Sequence, residues 1–182
     1  NGAVFEFPGF ARTDVLPARS VDASIILNAQ RDRLLHVSPT DGVNQPAVDV
    51  YDIEDARARS VTLSEPAFGR VTMNGDGSRT LNSINLYDRQ FRLLGKLVAD
   101  VPWDSPGTTL NVSGTRAVAL DEQTEAFYVH DVSGPGPAFP QLGAPMPLPD
   151  EAAGNATLIV PPSGGAVFAI ALIDAADRRR VA

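Results

Sequence analysis

The chain repeats one weak pattern four times: an apolar, alternating run that ends in an aspartate. The runs recur about forty residues apart, a period that is typical of stacked structural repeats. Their closing residue pairs are Tyr51-Asp52, Tyr87-Asp88, His130-Asp131 and Ile173-Asp174. One small antiparallel sheet cannot bury both of its faces, so copies of it must stack on one another. The repeat therefore predicts an architecture, and it carries no catalytic signature.

Strand signals dominate the rest of the chain. Short alternating runs separated by turn residues are typical of an all-β protein, and no stretch keeps the apolar spacing of a helix for long. We predict an all-β fold, a β-propeller with about four recognisable blades, in a single domain or fragment spanning residues 1–182. The predicted blades cover roughly residues 22–63, 67–97, 107–149 and 155–182, and residues 1–21 are predicted to form an N-terminal edge strand.

The turns that join the first two strands of the predicted blades also match one another. They are Asn74–Arg79, Val112–Arg116 and Pro162–Ala166. From Asp22 to Asp174 the chain resembles the bacterial YVTN-type and related WD-type β-propeller repeats, in which a Ser-Pro-Asp-Gly-like turn precedes a strand ending in aromatic-Asp. No Tyr-Val-Thr-Asn tetrapeptide and no Trp-Asp pair occurs here. Since that family usually has more than four blades, the resemblance implies part of a larger or incomplete ring.

Two predicted blades are short of loop residues. Strand residues run almost directly into the next strand between Leu81 and Leu86, and again between Val167 and Ile173. We expect that loop residues are missing from the chain at these two places, or that the chain is a fragment. The third predicted blade is instead broken by prolines from Pro135 to Pro149. Because proline cannot donate to a strand ladder, this segment is expected to wrap an edge irregularly.

Composition limits the classes of partner and compartment. The formal net charge is −7, which disfavours nucleic acid because phosphate contact needs a basic surface. No cysteine is present, so disulfides and thiolate metal sites are excluded. Basic residues are almost all arginine, with Lys96 the single lysine, and alanine and proline are abundant, as is typical of bacteria with GC-rich codons. The start at Asn1 without a methionine is interpreted as a processed or trimmed terminus, which says nothing about export. The absence of cysteine is compatible with bacterial export, and we expect an exported protein, extracellular or periplasmic. No apolar run reaches the roughly 20 residues of a transmembrane segment.

Cofactor and catalytic signals are sparse, and no catalytic residue or resident cofactor is predicted. The stretch from Asn74 to Ser78 partly matches a calcium loop, but with Asp76 as its one carboxylate it is interpreted as a tight β-turn. His36 and His130 fall in different blades and are not expected to share a metal. His130 replaces the tyrosines of its sister repeats, which indicates a packing position. The aspartates that close the repeats are interpreted as turn-formers that accept local backbone N–H groups.

One surface is favoured as a binding site. In a propeller, the loops between second and third strands and those between blades share one face, and loops on a rigid scaffold are the usual seat of binding. Here they are acidic and include the single tryptophan, a residue type common at interaction hot spots. An acidic rim favours cations or basic partners. The candidate binding residues are Trp103, Asp104, Asp100, Asp121, Glu122 and Glu125.

Three functions remain open. The favoured one is a non-enzymatic binding or scaffold module of an exported bacterial protein, which binds a protein or small molecule through the acidic loop face. An alternative resembles the propeller lactonases, whose central metal site would have to recruit His36, His130 and loop acids. A third is a structural subunit that self-associates by pairing strand edges at Asn1–Phe10 or Arg178–Ala182.

Overall fold

A computed structural model describes residues 2–6, 11–16, 24–37, 47–53, 57–63, 71–98, 107–121, 124–148, 156–159, 169–173 and 179–181. These residues form strands, turns and irregular segments and no helix. The strands are β1 Gly2–Glu6, β2 Ala11–Leu16, β3 Ser24–Leu27, β4 Arg33–Val37, β5 Ala47–Asp52, β6 Arg57–Thr62, β7 Val71–Met73, β8 Arg79–Asn82, β9 Asn85–Asp88, β10 Leu93–Val98, β11 Gly107–Leu110, β12 Arg116–Asp121, β13 Ala126–Asp131, β14 Ala138–Pro140, β15 Met146–Pro147, β16 Ala156–Ile159, β17 Ala169–Ile173 and β18 Arg179–Val181.

Consecutive strands pair antiparallel into small sheets, which confirms the predicted all-β class. The first blade has the order β3-β4-β5-β6, the second β7-β8-β9-β10 with β14 added outside β10, and the third β11-β12-β13-β15. A fourth sheet is formed by β16-β17-β18, and β1 pairs with β2 as a separate hairpin. The first strands of successive blades lie beside one another, because β3 contacts β7, β7 contacts β11 and β11 contacts β16. The blades therefore stack in chain order around a common inner edge.

The core lies between the blades. Where the first blade meets the second, Leu35, Val48 and Val50 pack with Tyr87 and Phe91 in one buried cluster. Alternate side chains of a strand point to opposite faces of its sheet, so each blade can pack on two neighbours at once. A second cluster joins the second and third blades, and its members are Leu81, Leu86, Leu97, Leu110, Ala117, Val132 and Phe139.

One side of the innermost strand of the first blade is left open. Ile25 is 62% exposed and Leu27 is 49% exposed, whereas Ile26 between them packs toward the second blade. The equivalent strands β7 and β11 have no exposed residue in the described part of the chain. Their two sides are covered by blades before and after them. The exposed apolar side of β3 is thus what an incomplete ring leaves uncovered.

The expectation of missing residues between Leu81 and Leu86 is wrong. The backbone is continuous there, with Asn82 paired to Asn85 across a two-residue turn. Ser83 occupies that turn with φ 51°, the left-handed region that tight hairpins require. The sequence allows a two-residue reversal at Asn82-Ser83, and the structure places it one residue later, at Ser83 and Ile84. Serine and isoleucine are not the glycine or asparagine usually found in such a turn.

The expectation of missing residues between Val167 and Ile173 is also wrong for residues 169–173, which are the part of this stretch that the structure describes. Ala169–Ile173 is one strand, β17, which pairs with β16 on one side and with β18 on the other. The fourth copy of the repeat is therefore the second strand of its sheet, whereas the runs that end at Asp52, Asp88 and Asp131 are third strands. Asp174 lies outside the described residues. An apolar run reports burial, and it cannot report the order of strands in a sheet.

The proline-rich segment of the third blade does follow sheet edges, but it also forms two short strands. β14 pairs parallel with β10 of the second blade, and β15 pairs antiparallel with β13 of the third. We call residues 132–148 the strap. After β14 the strap comes back to the third blade, where Leu142 donates its N–H to Val129 O of β13 at 2.7 Å. Gly95 permits this crossing, because a Cβ there would collide with the carbonyl oxygen of Gly136.

Two leucine truncations separate the packed core from the open side of β3. Leu35→Ala should lower the free energy of unfolding by about 2–5 kcal/mol, because Leu35 is fully buried between blades. Leu27→Ala, the same chemical change at a half-exposed site, should cost less than about 1 kcal/mol. Urea unfolding followed by circular dichroism measures both. Equal losses would mean that the outer side of β3 is packed in solution.

Candidate interaction surface

The acidic loop face is only partly described. Asp100, Trp103, Asp104 and Glu122 lie outside the described residues, so their predicted roles stay predictions. Asp121 and Glu125 are described: Asp121 is the last residue of β12, and Glu125 lies in the loop between β12 and β13. Their settings differ, because Asp121 is buried and Glu125 is exposed.

Asp121 is oriented into the blade, where it holds the loop. It ends β12 opposite Ala126, and only 1% of it is exposed. Thr124 donates its Oγ1 hydroxyl to Asp121 Oδ2 at 2.8 Å, and the same hydroxyl lies 2.9 Å from the Tyr128 hydroxyl. A buried carboxylate needs such partners, since burial without them is costly. Asp121 therefore holds the β12–β13 loop in place through its hydrogen bond with Thr124.

Glu125 presents its side chain to solvent from a constrained backbone. Its φ is 50°, which is uncommon for a residue other than glycine. Its carbonyl oxygen accepts the N–H of Leu148 at 2.7 Å, so the loop is tied to the end of the strap. The β12–β13 loop is consequently braced at both ends while its acidic side chain remains accessible.

The opposite face contains a repeated turn, and our sequence analysis recognised the match between turns but missed the role of the asparagine that begins each of them. An asparagine stands at the start of the turn in each of three blades, at Asn28, Asn74 and Asn111. In each turn its side-chain oxygen accepts the backbone N–H of the arginine five positions later, at Arg33, Arg79 and Arg116. The asparagine closes the turn by replacing a backbone acceptor. The signal was available in the sequence, as the spacing Asn-x-x-x-x-Arg repeated three times.

Two of the three arginines of these turns, Arg33 and Arg79, join successive blades. Arg33 donates from Nη1 to Gly77 O at 2.8 Å, across to the turn of the second blade. Arg79 donates to Gly114 O at 3.1 Å and to Ser133 O at 3.0 Å, both in the third blade. These charge-assisted bonds link residues that are 35 to 54 positions apart. We call these contacts the arginine latches.

Backbone bonds run beside the latches. Gln30 donates its N–H to Gly75 O at 3.1 Å, and Gly75 donates its own to Val112 O at 2.7 Å. A Cβ on Gly75 would lie 2.5 Å from Val112 Cγ1 and 2.9 Å from Val112 O. Glycine is therefore needed at position 75 so that the second and third turns can approach.

The turn from Asn74 to Ser78 engages Asp76 internally. Asp76 Oδ1 accepts the backbone N–H of Ser78 at 2.9 Å and the Nδ2 of Asn74 at 2.8 Å. Partial burial would raise the pKa of Asp76, but these hydrogen bonds outweigh it and hold the pKa below its ordinary value. This geometry is the tight turn that the sequence predicted.

The turn-forming interpretation of the closing aspartates is confirmed at two of them. Asp88 Oδ1 accepts the backbone N–H groups of Gln90 and Arg92. Asp131 Oδ1 accepts that of Ser133. Asp52 differs, because its described partners are arginine side chains.

The two histidines do not meet. His36 lies 3.4 Å from Asp49 Oδ2 within the first blade, and Ser60 donates its hydroxyl to Asp49 Oδ1. The Asp49 carboxylate lies between Ser60 and His36. This order differs from that of a catalytic triad, in which the imidazole contacts the serine directly and activates it as a nucleophile. His130 is fully buried in the third blade and donates from Nδ1 to Phe139 O at 2.8 Å, which confirms its predicted packing position. Among the described residues no three His, Asp or Glu side chains are grouped as a metal site.

Comparisons with solved structures identify the architecture. The chain superposes on the propeller domain of Myceliophteria thermophila Cps50 (Swd1) with a TM-score of 0.56 at 15% identity, over 90% of this chain and 53% of that one. It superposes on KlAtg21, solved in complex with the coiled coil of AgAtg16, with a TM-score of 0.62 at 9% identity, over 99% of this chain and 63% of that one. It also superposes on Kluyveromyces lactis Hsv2p, with a TM-score of 0.57 at 10% identity, over 98% of this chain and 64% of that one.

The fold is an incomplete β-propeller. This confirms the predicted fold class, and the chain spans between about half and two thirds of the length of these three proteins. No family model and no curated protein sequence matches the chain. In the part of the chain that the structure describes, no helix has the length and apolar character of a membrane span.

A glycine pair tests the contact between turns. Gly75→Ala should destabilise the protein by about 1–3 kcal/mol, because the new Cβ would force apart the second and third turns. Gly134→Ala, where a Cβ would meet nothing within 4 Å, should change stability by less than about 0.5 kcal/mol. Thermal unfolding at matched pH distinguishes them. A Gly75→Ala protein as stable as its control would show that the two turns do not touch.

His130 should make stability depend on pH. Burial lowers the pKa of His130 below 6.5, and its hydrogen bonds to the strap do not restore it. The unfolded chain therefore takes up a proton first, so stability should fall as pH drops below about 6.5, by at most about 1.4 kcal/mol per pH unit. Urea unfolding between pH 7.5 and 5.5 measures this slope, above the range where most carboxylates titrate.

The control for this effect is His130→Gln, which keeps a donor for Phe139 O but cannot titrate. Its stability should vary less with pH than that of the parent over the same interval. If the two pH profiles run parallel, the imidazole of His130 is not the group responsible.

Proposed function

We propose that this chain is a non-enzymatic β-propeller module that binds a partner through its acidic loop face. Direct contacts would come from Trp103, Asp100, Asp104, Glu122 and Glu125. Asp121 would act beneath them, since its buried carboxylate holds the β12–β13 loop through Thr124. The observation that carries the proposal is this loop, in which an exposed acid projects from a backbone fixed at both ends.

Rigid presentation is what a binding surface needs. Side chains that are already positioned lose less conformational entropy when a partner docks. Here the arginine latches and the interblade clusters fix the blades, and the Leu148–Glu125 bond fixes the loop. One solved neighbour, KlAtg21, is seen in complex with a coiled coil, which supports partner binding as a use of this architecture.

The partner we propose is a basic segment of a protein. An acidic rim attracts Lys and Arg side chains over a distance and accelerates encounter. Trp103 would supply the apolar anchor, because tryptophan is enriched at interaction hot spots. The proposal requires no resident cofactor and no catalytic residue.

Bacterial origin and export complete the proposal. They are supported by the arginine-, alanine- and proline-rich composition, by the absence of cysteine and by the similarity of the repeats to the YVTN-type family. Export in a bacterium would place the acidic face in the periplasm or outside the cell.

The single tryptophan makes the proposal directly testable. Titration with a lysine- and arginine-rich dodecapeptide containing one tyrosine should change the fluorescence of Trp103, with binding that weakens as salt is raised. Glu122→Gln combined with Glu125→Gln should weaken binding about tenfold, if each lost ion pair contributes somewhat less than 1 kcal/mol.

The matched control is Asp76→Asn, which removes one negative charge on the opposite face and keeps an acceptor in the turn. It should bind like the parent. Absence of any fluorescence change, or an equal loss per charge in the control, would contradict binding through the acidic loop face.

A further inference from the structure

A cluster of arginines lies on the turn face, opposite the acidic loops, where the first blade meets the second. We call Arg33, Arg59 and Arg89 the arginine cluster. Two of these groups approach one carboxylate, that of Asp52: Arg33 Nε lies 3.2 Å from its Oδ1, and Arg89 Nη2 lies 3.6 Å from the same oxygen. Two of the three cations thus share one carboxylate oxygen at short range.

The cluster is held together by a backbone carbonyl and an aromatic ring. Arg33 Nη2 donates to Arg89 O at 2.6 Å, and Arg59 Nη2 donates to the same oxygen at 3.4 Å. The guanidinium carbons of Arg33 and Arg59 lie 5.4 Å and 5.9 Å from the centre of the Phe91 ring. Phe91 therefore serves as a platform that places two like charges side by side.

Phe91 adopts an unusual backbone conformation to do so. Its φ is 63°, in the left-handed region that a bulky residue rarely occupies. Such strain persists only where the surroundings enforce it, and it is concentrated at functional sites. Here the buried ring and the Asp88–Phe91 turn enforce it, because Phe91 donates its N–H to Asp88 O at 2.9 Å.

The members of the cluster differ in exposure. Arg33 is 1% exposed, whereas the side chain of Arg89 is 42% exposed and Arg59 is exposed. Buried Arg33 and Asp52 meet as an ion pair without a directed hydrogen bond between them. The two outer guanidinium groups consequently face solvent beside Arg33, whose positive charge is balanced in part by Asp32 and by Asp52, which also faces Arg89.

We propose that the arginine cluster binds the carboxylate or phosphate group of an acidic segment of a partner protein, between Arg59 and Arg89. Guanidinium groups are suited to this role because their planar donors match the oxygens of carboxylate and phosphate. An added oxyanion would relieve the repulsion among the three arginines. Buried Arg33 strengthens the local positive field without contacting the ligand.

A short protein segment fits this site better than an extended polyanion. The chain has a net charge of −7, so nucleic acid or an anionic membrane would be repelled by most of its surface. A single acidic side chain reaches the cluster without approaching the acidic loop face. The site therefore adds a second binding surface of opposite sign to the one proposed above.

The test uses two fluorescent peptides on the whole chain: hexaglutamate, and a Gly-Ser peptide with one phosphoserine. Unphosphorylated peptide and hexaglutamine are the neutral references. Fluorescence anisotropy should show binding of at least one acidic peptide, and Arg59→Gln combined with Arg89→Gln should weaken it about tenfold or more, because each charge-assisted hydrogen bond is strong. Arg33 remains in place, and circular dichroism verifies the fold of the double variant.

The matched control is Arg92→Gln combined with Arg116→Gln, which removes the same net charge. These arginines are already paired, Arg92 with Asp88 at 2.7 Å and Arg116 with Asp131 at 2.8 Å. The control should bind within about threefold of the parent. An equal loss in both double variants, or no binding of either acidic peptide by the parent, would overturn the proposal. Tighter binding to phosphatidylserine vesicles than to the peptides would also overturn it, because the partner would then be a membrane.

Discussion

In the part of the chain whose side chains are described, the first three blades have apolar residues on both faces, and covering those faces is the constraint on which the rest depends. Leu35 and Val50 of the first blade are excluded from water only because Tyr87 and Phe91 of the second lie over them. A separated blade would expose this surface, and a sheet of four short strands has no other way to bury it. Stacking is therefore a condition for each blade to be stable. The exposed Ile25 and Leu27 mark the place where the stack lacks its next member.

Apolar stacking alone does not set the position of one blade on the next, and polar contacts at the turns do. Arg33 and Arg79 reach carbonyl oxygens in the following turn, beside the backbone bond from Gly75 to Val112. These groups are directional, whereas hydrophobic contact is not. The strap adds a further connection at the outer rim, where β14 pairs with β10. Together they produce a frame on which both loop faces are fixed.

The two faces differ in how their charges are used. On the turn face most carboxylates serve the fold: Asp88 and Asp131 close turns, and Asp52 faces Arg33. On the loop face Asp121 is also structural, yet Glu125 remains exposed. A protein with a net charge of −7 thus has a local arginine cluster on one side and the exposed Glu125 on the other. The two binding surfaces that we propose would allow the module to contact two partners.

The sequence by itself determined the features that depend on neighbouring residues. Alternation predicted the strands, and the short-range bonds of Asp76, Asp88 and Asp131 followed from turn chemistry. Only the tertiary structure decided which strand Ala169–Ile173 becomes, how the strap reaches β10 and which arginines converge on Asp52. The physical reason is distance along the chain, since Arg33 finds Gly77 O and Arg89 O at 44 and 56 positions away. Such partners meet only after the blades have stacked.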